Sequence, residues 1–381
     1  MRAKKKVLIL GPAHPYRGGI AETQNYIAQK LSQLGHEVMV YTFTFQYPRI
    51  LFPGKTQYSS SPIPKGIKIN RKVHSINLFN WIKVANQINE YAPEIVLFRY
   101  WTPFLAPCWN GIARGLHKKI IKVALVDNWL PHERKPWDGI MNNLFASKMD
   151  AFSTLSNAVA NEIKINQPNK PIWSGFHPIP ENLPSTILKE EARRKLGWPE
   201  DEKIVLFFGL IRKYKGLDLL IKAFSKEPLK SSNALLVIVG EAYEKIEKYT
   251  RLIEDLQLKD RIICDFNYAN ADRARDVICA ADVVAQTYRS ATQSGVTPLA
   301  YYYQTPLLVS DLPGLKDPIE KDDTGIVTEN SPRKIAENLF EILKNNTLLK
   351  YQKKLSNASN KYTWESYSEL MLKFIQGFNE R

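Results

Sequence analysis

Two cationic residues, Arg212 and Lys215, lie where an apolar run gives way to an amphipathic helix. They follow the predicted strand KIVLFFGL, and Gly216 leads from them into apolar residues at helical spacing. Open α/β sheets bind ligands at the carboxyl ends of their strands, and a departing diphosphate needs a cation or a metal to neutralise its charge. The pattern therefore predicts a diphosphate site that includes Gly209. The alternative is that both residues are solvated loop cations, as most Lys and Arg residues are.

A second loop rich in polar side chains follows the apolar run DVICAADVVAQ in the same half. We expect Ser294 and Gly295 at the start of the next helix, where the helix dipole favours an anion. Simple helix capping by Ser294 is the alternative. The residues of this loop that we predict to contact a phosphate or a sugar are Ser290, Thr292, Gln293, Ser294, Gly295, Val296 and Thr297.

A glycine pair, Gly18 and Gly19, lies between the first predicted strand and the first predicted helix. Because glycine has no Cβ, the backbone amides there can approach a phosphate or a sugar. A plain tight turn is the alternative. The segment GPAHPYRGGI does not match the G-x-G-x-x-G dinucleotide pattern, and the second strand lacks an acidic end for a ribose. The sequence therefore gives little support to NAD binding.

Strands and helices alternate along both halves of the chain, which places these loops at sheet edges. One series runs from KKVLILGP to AVANEIKI and a second from KIVLFFGL to PLLVSD, separated by the proline-rich PIWSGFHPIPENLPS. Such alternation predicts parallel, doubly wound α/β layers, and the prolines suit a hinge. We predict two Rossmann-like domains, at 1–175 and 191–360, that face each other across a cleft. The hinge is predicted at 176–190 and a C-terminal helix at 361–381, packing back towards the first domain.

The C-terminal helix is expected to pack through one apolar stripe. The segment TWESYSELMLKFIQGF places apolar residues at three- and four-residue steps, which gives one apolar helical face. The members of the stripe are Trp364, Tyr367, Leu370, Met371 and Phe374.

Composition indicates an ordered globular protein. The chain has 381 residues, of which 44% are hydrophobic and 24% charged, close to globular averages. The apolar stretch at 95–113 is interrupted by Arg99 and two prolines, so we expect neither a membrane span nor a signal peptide. Cys108, Cys264 and Cys279 have no paired spacing, which fits a reducing compartment. We expect a cytoplasmic protein.

The net charge of +15 is concentrated in the first half, where residues 1–180 carry 23 Lys/Arg against 9 Asp/Glu. A basic domain can contact anionic lipid, a phosphorylated acceptor or nucleic acid. The alternative is a basic face that is only solvated. No nucleic-acid recognition motif is present, so we expect no nucleic-acid partner. The basic first half instead suggests peripheral contact with the inner face of an anionic membrane.

These motifs together resemble glycosyltransferase family four, the retaining GT-B enzymes, over nearly the full length. Gly18 and Gly19 match the family's N-terminal glycine loop, and Arg212 and Lys215 with Gly216 match its diphosphate-binding Arg and Lys-Gly. The resemblance implies transfer of a sugar from a UDP- or GDP-linked donor to a glycan or lipid-linked acceptor. It also implies retention of configuration and a role in the biosynthesis of cell-surface polysaccharide or glycolipid.

The chain departs from the family pattern at several positions. The family's glutamate pair falls at Ala291 and Leu299 when Pro306 anchors the alignment, and Gln304 replaces a glycine. This indicates a divergent branch in which hydroxyls and backbone amides contact the donor.

In the first domain, the family's histidine-containing strand end resembles VDNWLPHERKPWD, with Asp127 at the histidine position. Asp127 and His132 are therefore candidate catalytic residues beside Arg212 and Lys215. A structural role is the alternative for a lone histidine.

We expect no metal and no cofactor, because no Asp-x-Asp signature or cluster with metal-ligand spacing occurs. Three other functions remain open. The first is a nucleotide-sugar 2-epimerase of the same fold, the second a nucleic-acid-binding protein, and the third a sugar-nucleotide-binding module without turnover.

Overall fold

The computed structural model of the chain describes residues 4–48, 58, 63–130 and 135–379. These residues fold into two compact units. The first unit comprises Met1–Phe176 together with Trp364–Arg381, and the second comprises His177–Thr363.

The first unit contains a sheet whose seven strands are all parallel. The strands are β1 (Lys6–Leu10), β2 (Glu37–Phe45), β3 (Lys68–His74), β4 (Ile95–Tyr100), β5 (Ile121–Val126), β6 (Ala151–Thr154) and β7 (Ile172–Ser174). Their order is β3-β2-β1-β4-β5-β6-β7. The chain order reverses between β1 and β4, so the carboxyl ends of these two strands border the switch point of the sheet.

Helices cover both faces of this sheet, and its central strands β1 and β4 are accordingly apolar except for Lys6 at the start of β1 and Arg99 on β4. The helices are α1 (Gly19–Gln33), α2 (Leu78–Tyr91), α3 (Ala106–Arg114), α4 (Asp138–Ala146), α5 (Asn157–Asn166) and, from the end of the chain, α14 (Trp364–Asn379). α2, α3 and α4 pack side by side on one face, and α5 shares their apolar core. α1 and α14 cover the other face.

The C-terminal helix α14 completes the core of the first unit, as predicted. Trp364, Tyr367 and Met371 are fully buried there among residues of β1, β4 and α1. The Tyr367 hydroxyl lies 3.0 Å from Ser153 Oγ, so its one polar atom is also satisfied. Leu370, predicted in the same stripe, is instead 45% exposed, because the buried face continues from Met371 to Ile375.

The second unit contains a six-stranded sheet of the same kind. The strands are β8 (Lys203–Phe208), β9 (Ala234–Val239), β10 (Ile262–Asp265), β11 (Val283–Gln286), β12 (Leu307–Ser310) and β13 (Gly325–Thr328). Their order is β10-β9-β8-β11-β12-β13, and every pair is parallel. The switch point of this sheet lies between β8 and β11.

Eight helices of the described chain belong to the second unit. They are α6 (Lys189–Leu196), α7 (Leu217–Phe224), α8 (Glu247–Asp255), α9 (Ala271–Ala280), α10 (Val296–Tyr302), α11 (Pro313–Asp322), α12 (Pro332–Ile342) and α13 (Asn345–Ala358). α6 is tied to the sheet by the buried Asp282, which accepts from Arg193 Nη2 at 2.7 Å and from Lys189 Nζ at 2.8 Å. The predicted architecture of two Rossmann-like layers is confirmed.

The buried face of α14 gives a test of its place in the core. Met371→Ala should lower the free energy of unfolding by about 2–5 kcal/mol, because it leaves a cavity among fully buried side chains. Leu370→Ala, one position earlier on the same helix, should cost less than about 1 kcal/mol because Leu370 is partly solvated. Urea unfolding followed by tryptophan fluorescence measures both, and equal losses would contradict the packing described here.

Candidate functional site

Lys215 lies at the switch point of the second sheet, in the loop that follows β8 and beside the loop that follows β11. It ends the 3-10 turn Lys213–Lys215, which leads through Gly216 into α7. Its residue surface is only 8% exposed, and its Nζ lies 5.2 Å from the centre of the Tyr288 ring. Lys215 thus lies at the carboxyl edge of the sheet, where the sequence pattern predicted it.

The charge of Lys215 is poorly compensated. Burial lowers the pKa of its ammonium; the nearby Tyr214 opposes this effect, and the positive Arg212 adds to it. No carboxylate of the described chain is among the groups that shift this pKa. A buried cation without a counterion is costly. An anion bound beside it would lower that cost, so the arrangement is suited to binding an anion.

Two glycines hold this lysine in place. Gly209 and Gly216 have φ angles of +98° and +64°, which residues with a Cβ rarely adopt. A Cβ on Gly209 would lie 3.0 Å from Lys215 Nζ. A Cβ on Gly216 would overlap the carbonyl oxygen of Thr287, whose hydroxyl donates to Gly216 O at 3.1 Å. The loop after β8 therefore packs directly on the loop after β11.

Arg212, the other predicted cation, is exposed. Its guanidinium lies 4.8 Å from the centre of the Tyr243 ring, and this cation–π contact stabilises it. A backbone hydrogen bond from Tyr243 N to Ile211 O at 3.0 Å holds Arg212 beside Tyr243. Arg212 can therefore contact a solvated part of a ligand, and Lys215 can contact a buried part.

An ion pair that the sequence analysis did not identify joins the two loops. Arg289, which follows β11, donates from Nη1 and Nη2 to the Asp218 carboxylate at 2.8 and 2.7 Å, and its Nη1 also donates to Lys213 O at 3.1 Å. Burial raises the pKa of Asp218, but the hydrogen bond and charge of Arg289 outweigh it, and the pKa is lowered. Asp218 thus stays ionised, and the pair fixes the start of α7.

The loop at 290–297 divides into solvated and internally bonded residues. Ser290 and Gly295 are exposed, and Thr292 is half-buried. Ser294 is buried, and its Oγ accepts from Val296 N at 3.2 Å and lies 3.4 Å from the Tyr288 hydroxyl.

Thr297 is bonded inside the protein as well, through the Gln286 amide at 3.0 Å. The hydroxyls of Ser294 and Thr297 therefore already have protein partners. Gln293 differs from them, since its Oε1 is buried and has no hydrogen-bond partner. In the loop at 290–297, Ser290 has the more accessible hydroxyl and Gln293 has an unpaired carbonyl.

Three contacts of this region are invisible in the sequence pattern. Tyr288 is buried beside Lys215, and burial raises the pKa of its hydroxyl to about 12. Asn330 donates to Tyr288 O at 2.7 Å and accepts from Ser310 Oγ at 2.6 Å. Gly314 lies so close to Thr292 that a Cβ would overlap its carbonyl. Each contact joins segments that follow different strands of the sheet, so the local sequence pattern does not reveal it.

Asp127 is a buried counterion in the first unit. Its carboxylate accepts two hydrogen bonds from Arg99, one of them from Nε at 2.6 Å, and Arg99 is fully buried on β4. Arg99 Nη2 also donates to Thr23 Oγ1 at 2.8 Å. The pair lies at the carboxyl edge of the first sheet, and a catalytic role for Asp127 stays a prediction.

The other predicted residues of the first unit differ in what the structure describes. Gly18 and Gly19 are exposed at the start of α1, Gly18 has a φ of +108°, and a Cβ on either would meet no neighbour. His132 lies outside the described residues. None of the described helices has the length and apolar character needed to cross a membrane.

Residues 189–362 match the family model of the glycosyl transferases group 1. The match covers the switch point of the second sheet, with Lys215, Tyr288 and the loop at 290–297. The match supports the interpretation of this chain as a GT-B glycosyltransferase of group 1.

Two relatives of this chain are consistent with a glycosyltransferase. An uncharacterized glycosyltransferase of Methanocaldococcus jannaschii is 30% identical over 202 residues, which are 52% of this chain and 50% of that protein. The chain thus spans about half the length of that relative. N-acetyl-alpha-D-glucosaminyl L-malate synthase of Bacillus anthracis is 21% identical over 348 residues, covering 88% of this chain and 87% of that enzyme.

Solved structures agree with the fold. HepE of Anabaena in complex with UDP superimposes with a TM-score of 0.72 and 16% identity, over 98% of this chain and 100% of that one. The chain therefore has the GT-B fold.

The close approach of Gly216 to Thr287 predicts a specific sensitivity. Gly216→Ala should lower the free energy of unfolding by about 2 kcal/mol or more, because the Cβ overlaps a carbonyl at a positive φ. Gly295→Ala should change stability by less than about 0.5 kcal/mol, since a Cβ there meets no atom within 4 Å. Thermal denaturation compares the two, and a Gly216→Ala variant as stable as the parent would contradict the contact.

The buried charge of Lys215 predicts a dependence on pH. The pKa of Lys215 is lower in the folded protein than in the unfolded chain, so the unfolded chain binds more protons between these two pKa values and stability rises with pH there. Lys215→Met, which removes the charge, should therefore stabilise the protein on the order of 1 kcal/mol near neutral pH. The gain should shrink as pH rises towards 10.5, the ordinary pKa of lysine. Urea unfolding across this range measures it, and a gain that grows with pH would contradict the assignment.

Proposed function

We propose that this chain is a glycosyltransferase that transfers a sugar from a nucleotide-diphosphate donor to a glycan or lipid-linked acceptor. The observation that carries the proposal is the buried Lys215 at the switch point of the second sheet, where no carboxylate of the described chain is among the groups that shift its pKa. Ligands of open α/β sheets bind at such points. The family match over residues 189–362 supports the same reaction class.

Leaving-group stabilisation is the proposed role of the two cations. When the sugar bond breaks, negative charge develops on the departing diphosphate, and a fixed cation in a site of low dielectric stabilises it. We propose that the buried Lys215 contacts a buried phosphate oxygen and that the exposed Arg212 contacts a solvated one. Gly209 and Gly216 let the backbone approach the same group. These protein cations are proposed to act without a metal ion.

The donor is proposed to be a UDP- or GDP-linked sugar. A complex of Anabaena HepE, which shares the fold, contains UDP. In this chain the positions of the family's glutamate pair hold Ala291 and Leu299. We propose that Ser290, Thr292 and Gln293 contact the ribose or the sugar in their place, with Gly295 and Val296 contributing backbone N–H groups. The unpaired Gln293 Oε1 can accept from a hydroxyl of the ligand.

The acceptor is proposed to bind to the first unit. Gly18 and Gly19 present an exposed helix start there, and Asp127 lies at the same edge of the sheet. Asp127 and His132 stay the candidate catalytic residues of this unit. We also propose that the chain belongs to a branch of family four that lacks the glutamate pair, and that it transfers the sugar with retention of configuration. Its proposed role is in the synthesis of cell-surface polysaccharide or glycolipid. The protein is proposed to work in the cytoplasm, peripherally bound to an anionic membrane.

Lys215→Ala tests the role of the buried cation. It should lower the release of nucleoside diphosphate from the donor by about 100-fold or more, as loss of a preorganised charge does. Release of UDP and GDP from a panel of UDP- and GDP-sugars can be followed by chromatography with the whole chain. Lys213→Ala is the matched control, because Lys213 lies in the same 3-10 turn but is exposed. Near-parental release by Lys215→Ala would remove this residue from the site.

The same assay separates the proposed enzyme from its alternatives. A transferase releases free nucleoside diphosphate and gains rate when a suitable acceptor is added. A 2-epimerase of the same fold would change the sugar of the donor with no acceptor present. A chain that binds UDP or GDP, with a raised Tm, but neither releases nor epimerises any donor would be a binding module.

A further inference from the structure

Apolar side chains that no part of the described chain covers lie at the start of α2. Phe79 is 87% exposed, and Leu78 and Ile82 are 66% and 63% exposed. Ile76, just before the helix, is also more than half exposed. Single exposed apolar residues are normal in soluble proteins, but a contiguous group marks an interaction surface.

The packing of α2 fixes these side chains in an outward position. Trp81 and Ala85 of α2 face Gly111 of α3 and Gly115 just after it, where a Cβ would lie 2.5 Å from the Trp81 ring and 2.7 Å from Ala85 Cβ. The two glycines thus let the helices pack closely. Trp81 Nε1 also donates to His74 O at 2.8 Å. Because Trp81, Ala85 and the buried Val84 and Ile88 face the protein, the side of α2 with Phe79 and Ile82 faces solvent.

A second group of the same kind lies at the start of α4. Trp137 and Ile140 are each more than half exposed, and Lys135 Nζ lies 5.6 Å from the Trp137 ring. α2 and α4 both follow the carboxyl ends of parallel strands, and both pack against α3. Their first turns therefore lie at the same edge of one helical layer. We call Ile76, Leu78, Phe79, Ile82, Trp137 and Ile140 the apolar edge.

Positive charge accompanies the apolar edge. Residues 38–89, between Glu37 and Glu90, contain no Asp or Glu and seven Lys or Arg. Of these, Lys72 precedes α2 on the outermost strand β3, and Lys83 is exposed beside Ile82 on α2. Apolar side chains flanked by Lys are typical of surfaces that lie in the interface of an anionic bilayer, where insertion and attraction to headgroups act together.

We infer that the apolar edge is the surface by which this chain docks on an anionic phospholipid bilayer. The inference deepens the peripheral membrane contact of the proposed function by naming the residues that make it. Nucleic acid fits less well, because four of the six residues of the edge are aliphatic and cannot stack on bases. A second copy of the chain fits less well too, since a symmetric contact would bring the lysines beside the edge, Lys72 and Lys83, close to the same lysines of the other copy. A bilayer takes up both the apolar and the basic residues.

Vesicle binding of the whole chain, measured by sedimentation without any donor, tests the inference. The chain should bind vesicles of phosphatidylcholine and phosphatidylglycerol at about two to one, and bind pure phosphatidylcholine much more weakly. Binding should weaken between about 0.1 M and 1 M salt. Absence of binding to the anionic vesicles, or equal binding to both kinds, would overturn the inference.

Two matched variants locate the surface. Phe79→Ser with Ile82→Ser should weaken binding to the anionic vesicles by about 100-fold, since each inserted side chain contributes about tenfold or more. Ile165→Ser is the control, because Ile165 is 81% exposed in the same unit but lies at the far end of α5, towards the opposite edge of the sheet. The inference is wrong if the double variant binds as tightly as the parent, or if Ile165→Ser loses as much.

Further measurements separate misfolding, self-association and failure of the enzyme proposal. The double variant should keep parental donor-derived nucleotide release in solution, so a loss confined to vesicle binding supports the docking surface whether or not the reaction is the one proposed. Lipids brominated in the acyl chains should quench tryptophan fluorescence in the parent and much less in Trp137→Phe; unchanged quenching in Trp137→Phe would exclude α4 from the surface. A dimer in analytical ultracentrifugation that the double variant dissociates would assign the edge to a second copy instead.

Discussion

The buried ammonium of Lys215 is the group around which the second unit is arranged. Such a charge is unfavourable in an apolar interior, and the described chain offers it the face of Tyr288 in place of a carboxylate. Holding it there requires Gly209 and Gly216, which let the backbone turn beneath it, and the carbonyl of Thr287, against which Gly216 rests. Part of the stability of this unit is therefore given up to keep a positive charge at the switch point of its sheet.

The first unit treats a buried cation in the opposite way. Arg99 lies on β4, beside the switch point of the first sheet, much as Lys215 lies beside the switch point of the second. Its guanidinium, however, is paired with Asp127 and donates to Thr23. A paired guanidinium is largely neutralised and rigid, so it orders the loop after β5 more than it attracts a ligand. Two sheets of similar topology thus differ in electrostatics, and the uncompensated charge lies in the unit that matches the transferase family.

The sequence predicted those parts of the structure that depend on neighbouring residues. Buried parallel strands such as β1, β8 and β9 are apolar apart from a lysine at the start of β1 and β8, and α14 has a clear helical period. Two strands have weak local signals: β3 is a polar edge strand, KINRKVH, and β7 has only three residues. Packing against a neighbour, and not local preference, makes these segments strands.

The same limit applies to the site. Lys215 and its glycines stand in one short segment and could be found by spacing, whereas Arg289 and Asp218 are 71 positions apart and Arg99 and Asp127 are 28 apart. Sequence spacing also could not tell which hydroxyls of the loop at 290–297 are already bonded. Ser294 and Thr297 are residue types that often bind ligands, yet their hydroxyls are hydrogen-bonded to Val296 and Gln286 of the protein itself.

The place of α14 has a consequence for the order in which the chain can fold during synthesis. The face of the first sheet that carries Ile9 and Leu97 is covered by Trp364, Tyr367 and Met371, which leave the ribosome after every residue of the second unit. Domains generally fold as they emerge. The core of the first unit therefore closes only after the second unit has been translated, and a nascent chain exposes part of that apolar face until α14 has emerged.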